Sequence, residues 1–217
     1  MTSTHELRIQ TGKVWLDALH ASPAQPRGLI LCALPHIAQL RDSRDSHAAG
    51  FLHEAGFTTL LVSLLTPYEA QHDSDAHYDI ALLDQRIAAL LEWIAHQPSL
   101  QGLPLGVLAS DSVLSACIRQ FAREPGNVSA LVSRAGRPEL AGAAPLRSLQ
   151  VPLMMIVPEA ASELTAPSQQ AWKLLGGEKL WHTVPGASAS LIEPGSLENA
   201  SRAACAWFLR HMPAAER

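Results

Sequence analysis

The sequence has little of what nucleic-acid-binding, membrane-spanning or disulfide-stabilised proteins need. It carries three cysteines among 217 residues and a net charge of -4, with no cluster of basic residues. Without a basic patch there is no electrostatic attraction for nucleic acid or for an anionic membrane surface. No apolar run reaches the length that spans a bilayer. We therefore expect neither nucleic acid nor a membrane as a partner.

The three cysteines, Cys32, Cys117 and Cys205, are odd in number and lie far apart in the chain. They match no metal-binding spacing and no disulfide framework, so we expect reduced, mostly buried thiols, no metal and no cofactor. The amino-terminal residues "MTSTHELRIQ" lack the apolar core of a signal peptide. A cytoplasmic location is the expectation.

Apolar residues make up 47% of the chain, which is enough for a substantial core, and the length suits one domain over residues 1–217. Apolar or β-branched runs alternate with segments of helical periodicity. The predicted strands are "ELRIQ", "KVWLDALHAS", "GLILCAL", "FTTLLVSLL", "LPLGVLAS", "VSALVSRA", "VPLMMIVP" and "KLWHTVP". The predicted helices are "SHAAGFLHEAG", "DIALLDQRIAALLEWIAHQ", "SVLSACIRQFAR", "APSQQAWKLLGG" and "SLENASRAACAWFLRHM". This alternation predicts an α/β fold with a mostly parallel sheet flanked by helices.

Residues 66–78, "TPYEAQHDSDAHY", are predicted to form a polar loop. Its "HDSDAHYD" portion, which ends at residue 79, has histidine and aspartate side chains that are able to bind a metal. The spacing fits no metal site, however, and a solvated loop is the preferred interpretation.

The segment "GVLASDSVLSA", Gly106 to Ala116, passes from an apolar strand through small residues into a helix, with Asp111 at the turn. A carboxylate at this place is stabilised by the free N–H groups and the dipole of the helix. That is the purely structural interpretation of Asp111. The chemical interpretation depends on which proteins the chain resembles.

The order of elements, with this turn after the fifth strand, resembles the α/β-hydrolase superfamily and, within it, small dienelactone-hydrolase-like proteins without a lid domain. The similar segments are "LLTPYEA", "VSRAGRPELAG", "VPLMMIV" and "VPGASASLIEPGSLE" followed by "WFLRH". The resemblance extends over about residues 28–211.

The resemblance implies positions for the catalytic residues. In the active proteins a serine stands at the strand-to-helix turn, in the pattern G-x-S-x-G, and a histidine and an acid complete a triad. Here the serine position falls on Asp111, the acid position on Ala160 or Ala161 beside Glu159, and the histidine position on Ala189. The oxyanion loop, which normally contains glycines, reads "LPHIAQ", Leu34 to Gln39.

Four departures together predict a protein without a catalytic triad, with little or no serine-hydrolase activity. Its role would then be non-catalytic: binding of a small ligand or of a protein partner. The alternative is a hydrolase of a small ester, lactone or related substrate, with Asp111 as nucleophile, His36 as base and Glu159 as a displaced acid. A third hypothesis is an interaction subunit, which would form a stable oligomer such as a homodimer.

Four further residues are candidate ligand-binding residues. Ser110 and Ser112 flank the turn, and Arg134 and Arg137 follow the next strand, where parallel strands frame a ligand crevice. Either arginine is able to hold a carboxylate or phosphate with two hydrogen bonds. The alternative for the arginines is a surface ion pair or a loop anchor.

Overall fold

A computed structural model describes residues 3–36 and 43–212 of the chain. Eight strands form one sheet in the order β1-β2-β4-β3-β5-β6-β7-β8. The strands are β1 (Ser3–Thr11), β2 (Val14–Ser22), β3 (Leu29–Leu34), β4 (Thr58–Ser63), β5 (Leu105–Ser110), β6 (Val128–Arg134), β7 (Leu153–Pro158) and β8 (Lys179–Val184).

The sheet is mostly parallel, as the sequence predicts. Strands β1 and β2 pair antiparallel, and so do β2 and β4, whereas every other neighbouring pair is parallel. Every residue of β3, β4 and β7 is buried. Continuous apolar runs are typical of parallel strands because helices cover both faces of such a sheet. The expected α/β fold with a mostly parallel sheet flanked by helices is therefore confirmed.

Seven α-helices lie within the described part of the chain. They are α1 (Arg44–Glu54), α2 (Pro67–His72), α3 (Ile80–Ala95), α4 (Val113–Arg123), α5 (Ala143–Ser148), α6 (Ser162–Leu174) and α7 (Ser196–His211). Side chains of α1 and α7 pack in the hydrophobic core on one face of the sheet, and those of α3 to α6 pack on the other. Gly106 of β5 allows close contact with α7, since a Cβ there would lie 2.7 Å from side-chain atoms of Phe208 and Met212.

The prediction of a loop over residues 66–78 is wrong. This segment contains α2 and a 3-10 helix at Ala76–Tyr78. Helix α2 begins with a capping box, in which the Thr66 and Glu69 side chains each bind the other residue's backbone N–H. The two carboxylate oxygens of Glu69 also accept hydrogen bonds from Arg86 of α3, at 2.9 and 2.5 Å. Local capping and a contact with a distant helix thus order a stretch that has no apolar periodicity.

Two further short helices escape the sequence pattern, α5 and a 3-10 helix at Pro138–Ala141. Both are too short to show helical periodicity. Within the described ranges, no helix is long and apolar enough to cross a membrane, and all three cysteines are free thiols. The same residues contain no group of three potential metal ligands, the "HDSDAHYD" segment included.

Candidate functional site

The turn between β5 and α4 is a sharp strand-to-helix corner with Asp111 at its apex. Asp111 has a φ of 49°, the left-handed conformation that aspartate tolerates better than most residues. Its carbonyl oxygen accepts hydrogen bonds from the backbone N–H groups of Leu114, at 3.3 Å, and Arg137, at 3.0 Å. The backbone thus holds the carboxylate of Asp111 at the carboxyl edge of the sheet.

A cavity of about 370 Å³ opens beside Asp111. We call it the elbow cavity. Its lining residues are Leu34, Pro35, His36, Leu65, Ala70, Asp73, Ser74, His77, Ser110 and Asp111. The structure therefore brings together three of the predicted site residues, Asp111, His36 and Ser110.

The electrostatic environment of Asp111 is mixed. Partial burial raises the pKa of its carboxyl group, while His77, Arg137 and the backbone N–H of Ser112 oppose that shift. No described histidine nitrogen forms a hydrogen bond with the Asp111 carboxylate. The predicted base, His36, instead has its Nδ1 atom 3.4 Å from Ser63 Oγ. The two residues share a cavity without forming a hydrogen-bonded pair.

His77 is a residue of the elbow cavity that the sequence analysis did not select. The buried Ser112 hydroxyl donates a hydrogen bond to the His77 carbonyl and so ties the 3-10 helix to the start of α4. The imidazole ring lies against Tyr78, with ring centroids 3.9 Å apart. In the sequence, His77 stands out only as part of the possible metal-binding segment "HDSDAHYD". That pattern does not indicate that His77 lies near Asp111.

Ser110 and Ser112 differ sharply although both flank Asp111. Ser110 lines the elbow cavity. Ser112 is fully buried, and its hydroxyl is used by the His77 carbonyl. Ser112 therefore holds His77 in place and is not among the described lining residues of the cavity. Its contact with a ligand stays a prediction.

The predicted acid and histidine positions belong to loops that close on themselves. The Glu159 carboxylate accepts a hydrogen bond of 2.8 Å from the backbone N–H of Gly186, and Ala160 donates one of 2.9 Å to the Ala187 carbonyl. Ala189 is exposed in the loop after β8. The guanidinium of Arg44 binds that loop through the carbonyls of Ser190, at 2.5 Å, and Leu191. Neither loop contributes to the described lining of the elbow cavity.

Arg134 and Arg137 are both engaged by carboxylates of the same chain. Arg134 forms a largely buried ion pair with Asp45. Arg137 donates to Glu139 at 3.0 Å and to the Tyr78 hydroxyl at 3.2 Å. These contacts fit the ion-pair alternative. Binding of an anionic ligand by either arginine remains a prediction.

The oxyanion loop position is described only in part. Leu34, Pro35 and His36 lie at the rim of the elbow cavity. Pro35 has no backbone N–H to offer an oxyanion. The rest of "LPHIAQ", residues 37–39, lies outside the described residues.

Comparison with solved structures identifies the fold family. A dienelactone hydrolase from Anabaena variabilis superimposes with a TM-score of 0.88, at 29% identity, over 97% of this chain and 99% of the other. This chain has the α/β-hydrolase fold and is similar to dienelactone hydrolases. The esterase domain of a Rhodothermus marinus protein has a TM-score of 0.76 at 11% identity, covering 97% of this chain and 99% of that one, and so shares the fold.

Sequence comparison finds a second kind of relative. Mycobacterium tuberculosis proteins with the provisional name phosphoribosyl transferase are 34% identical over 207 residues, 95% of this chain. The chain spans only 46% of the length of those relatives. No protein-family model matches the chain.

Proposed function

We propose that this chain binds a small molecule in the elbow cavity and does not catalyse serine-type ester hydrolysis. The observation that carries the proposal is Asp111, which occupies the apex of the strand-to-helix turn beside an open cavity of about 370 Å³. A cavity of this size lies within the range of small-molecule sites. The open cavity also favours a small ligand over a protein partner as the occupant.

The chemistry of serine hydrolysis needs groups that this chain does not place at the expected positions. A serine attacks, a histidine moves its proton, and an acid orients the histidine. Alanine, found at Ala160 and Ala189, is unable to move a proton or to accept a hydrogen bond through its side chain. The loss of triad members costs several orders of magnitude in rate.

A second candidate function is hydrolysis that uses Asp111 as the nucleophile, and it is favoured by the shared cavity of Asp111 and His36. An Asp111 carboxylate oxygen would attack the acyl carbon of a lactone, the ring C–O bond would break, and the released alkoxide would take a proton from the protonated His36 imidazole. The resulting mixed anhydride would be hydrolysed by a water that gives its proton to His36. Glu159, the acid predicted for this mechanism, is not among the described lining residues of the cavity. The candidate therefore lacks its predicted acid beside His36.

Phosphoribosyl transfer, named in the mycobacterial relatives, is not proposed for this chain. Such a reaction handles a pyrophosphate group, which binds to cations and to backbone N–H groups. The elbow cavity instead presents Asp73 and Asp111, and the nearby Arg137 is paired with Glu139. Two carboxylates repel a pyrophosphate. This chain matches only 46% of the length of those relatives, so the activity in their name need not reside in the matched part.

The test is hydrolysis of a panel of short p-nitrophenyl esters and lactones. Wild type, Asp111→Ala and the matched control Asp75→Ala would be assayed together, since Asp75 lies in the same segment as Asp73 but outside the cavity lining. We expect background rates from all three proteins. A wild-type rate above background that Asp111→Ala removes and Asp75→Ala preserves would overturn the proposal in favour of the second candidate, and His36→Ala would then test the base.

A further inference from the structure

We propose that the occupant of the elbow cavity is a neutral molecule with adjacent hydroxyl groups, of monosaccharide size or slightly larger. This inference rests on the proposed binding function and names the chemical class of the ligand. It follows from the hydrogen-bonding groups that line the cavity and from the groups there that no described residue satisfies.

Ser110 supplies the first observation. Its side chain is only 9% exposed and lines the cavity, yet its hydroxyl forms no hydrogen bond with any described residue. The neighbouring hydroxyls of Ser112 and Ser115 donate to the carbonyls of His77 and Arg137. The Ser110 hydroxyl is therefore available to a hydroxyl group of a ligand, as donor or as acceptor.

The remaining polar lining includes both acceptors and donors. The carboxylates of Asp111 and Asp73 are acceptors, and among the described residues one Asp73 oxygen is used, by the backbone N–H of Asp75 at 2.9 Å. The imidazoles of His36 and His77, when neutral, each carry one N–H donor and one acceptor nitrogen. A hydroxyl group donates one hydrogen bond and accepts others, so hydroxyls are able to satisfy both kinds of group.

A charged ligand matches this lining less well. An anion offers acceptors only and meets the carboxylates of Asp73 and Asp111. A cation offers donors only, supplies no acceptor for an imidazole N–H, and lies near the Arg137 guanidinium, which already acts on Asp111. A neutral polyol avoids both conflicts. Mixed hydrogen-bonding capacity, rather than net charge, is the feature that selects the ligand.

The apolar part of the lining fits the same class of molecule. Leu34, Pro35, Leu65 and Ala70 supply apolar surface on the side formed by β3 and by the segment after β4. A sugar ring presents C–H groups on its faces and hydroxyls at its edge. The volume of about 370 Å³ accommodates such a ring with room for a substituent.

The experiment is saturation-transfer-difference NMR on the full chain, with dissociation constants from titration. The probes are methyl β-D-riboside, its 2,3-dideoxy analogue, ethylammonium and propionate. We expect the riboside to bind about tenfold more tightly than the dideoxy analogue, since removal of the two hydroxyls leaves the polar groups of the cavity without ligand partners. We expect neither charged probe to compete.

Variants assign the binding to the cavity. Ser110→Ala and Asp73→Asn should each weaken riboside binding several-fold, whereas Asp75→Asn, a matched charge change outside the lining, should not. Asp73 is exposed, so its variant keeps the test valid if Ser110→Ala fails to fold. Equal binding of riboside and dideoxy analogue, binding of a charged probe alone, or no binding at all would each overturn the inference. The ester and lactone assay tests the proposed function independently of this NMR titration, because it measures hydrolysis and not the chemical class of the ligand.

Discussion

The two sides of the turn at Asp111 use their polar groups in opposite ways. On one side, the end of β3 and the segment after β4 leave His36, Asp73 and His77 facing an open cavity. On the other side, Glu159 after β7 accepts a hydrogen bond from Gly186, and Arg44 donates one to the carbonyl of Ser190 after β8, so both charged groups are used within the chain.

The difference shows that the positions expected for a triad acid and histidine are not the positions whose side chains line the cavity. The triad pattern of the α/β-hydrolases assigns the acid and the histidine to the second side. In this chain that side contains internal hydrogen bonds of Glu159 and Arg44, whereas polar side chains of the first side line the elbow cavity. We therefore expect substitutions on the first side to change ligand binding and those on the second to change only stability.

The largest effect should come from breaking the pair that orders the first side. Arg86 is 5% exposed and donates to Glu69 and to the Leu64 carbonyl, so Glu69→Ala leaves a buried guanidinium without its carboxylate. We expect a loss of about 3–5 kcal/mol in the free energy of unfolding, measured by urea denaturation. Glu198→Ala, which removes the exposed partner of Arg202, is the matched control and should cost less than about 1 kcal/mol. Equal losses would contradict the prediction.

The same pair should make stability depend on pH. The hydrogen bonds from Arg86 lower the pKa of Glu69 from 4.5 to about 2. Because the folded-state pKa is the lower one, the stabilisation is complete above about 4.5 and is lost as the pH falls towards about 2. The stability difference between wild type and Glu69→Gln should shrink over that interval in urea titrations. A difference that stays constant from pH 7 to pH 2 would refute this assignment.

A smaller effect is expected on the second side. Glu159→Ala removes the acceptor of the exposed Gly186 N–H, and we expect a loss of about 1 kcal/mol in unfolding free energy. Riboside binding should be unchanged, because Glu159 does not line the elbow cavity. Glu159→Gln, which keeps an acceptor oxygen, is the control and should restore most of the stability. A loss of riboside binding in Glu159→Ala would show that the two sides are coupled.

The smallest effect is expected at Asp111 itself. Burial raises the pKa of its carboxyl group, so the ionised form is less favourable in the folded chain than in the unfolded chain. Stability therefore falls as pH rises above the ordinary aspartate pKa, and Asp111→Asn should be more stable than wild type at pH 7, by less than about 1 kcal/mol. The gain should disappear when thermal unfolding is repeated at acidic pH.

Asp111→Ala is the informative companion to that variant. Both substitutions remove the charge, but asparagine tolerates the left-handed φ of 49° better than alanine does. We expect Asp111→Ala to gain less stability than Asp111→Asn, or to lose some. If the two variants are equally stable, backbone conformation does not contribute to the effect.

The sheet, most helices and the turn at Asp111 were predictable because they depend on local patterns. The apolar runs of β3, β4 and β7 indicate parallel strands, and Gly56, at φ 88°, follows the end of α1 as its position in the sequence suggests. The region from Thr66 to Tyr78 was not predictable in this way. Its capping box is local, but its contacts with Arg86 and Ser112 join it to other elements.

The hydrogen-bond and ion-pair partners of the candidate site residues were not predictable from the sequence either. Nothing in the sequence spacing pairs Arg134 with Asp45, or Glu159 with the backbone of Gly186, because these contacts join segments far apart in the chain. Residue type identifies groups that are able to bind a ligand. Whether a group faces a cavity or another part of the chain depends on packing.

The sequence by itself determined an α/β architecture, the strand-to-helix turn and the residue types at the triad positions, because hydrophobic periodicity and residue identity are local properties. Tertiary structure alone decided that His77 and His36 share a cavity with Asp111, that Ser110 faces it and Ser112 does not, and that both candidate arginines are engaged. Those outcomes depend on which distant segments meet at the carboxyl edge of the sheet, and that is set by the packing of the whole chain.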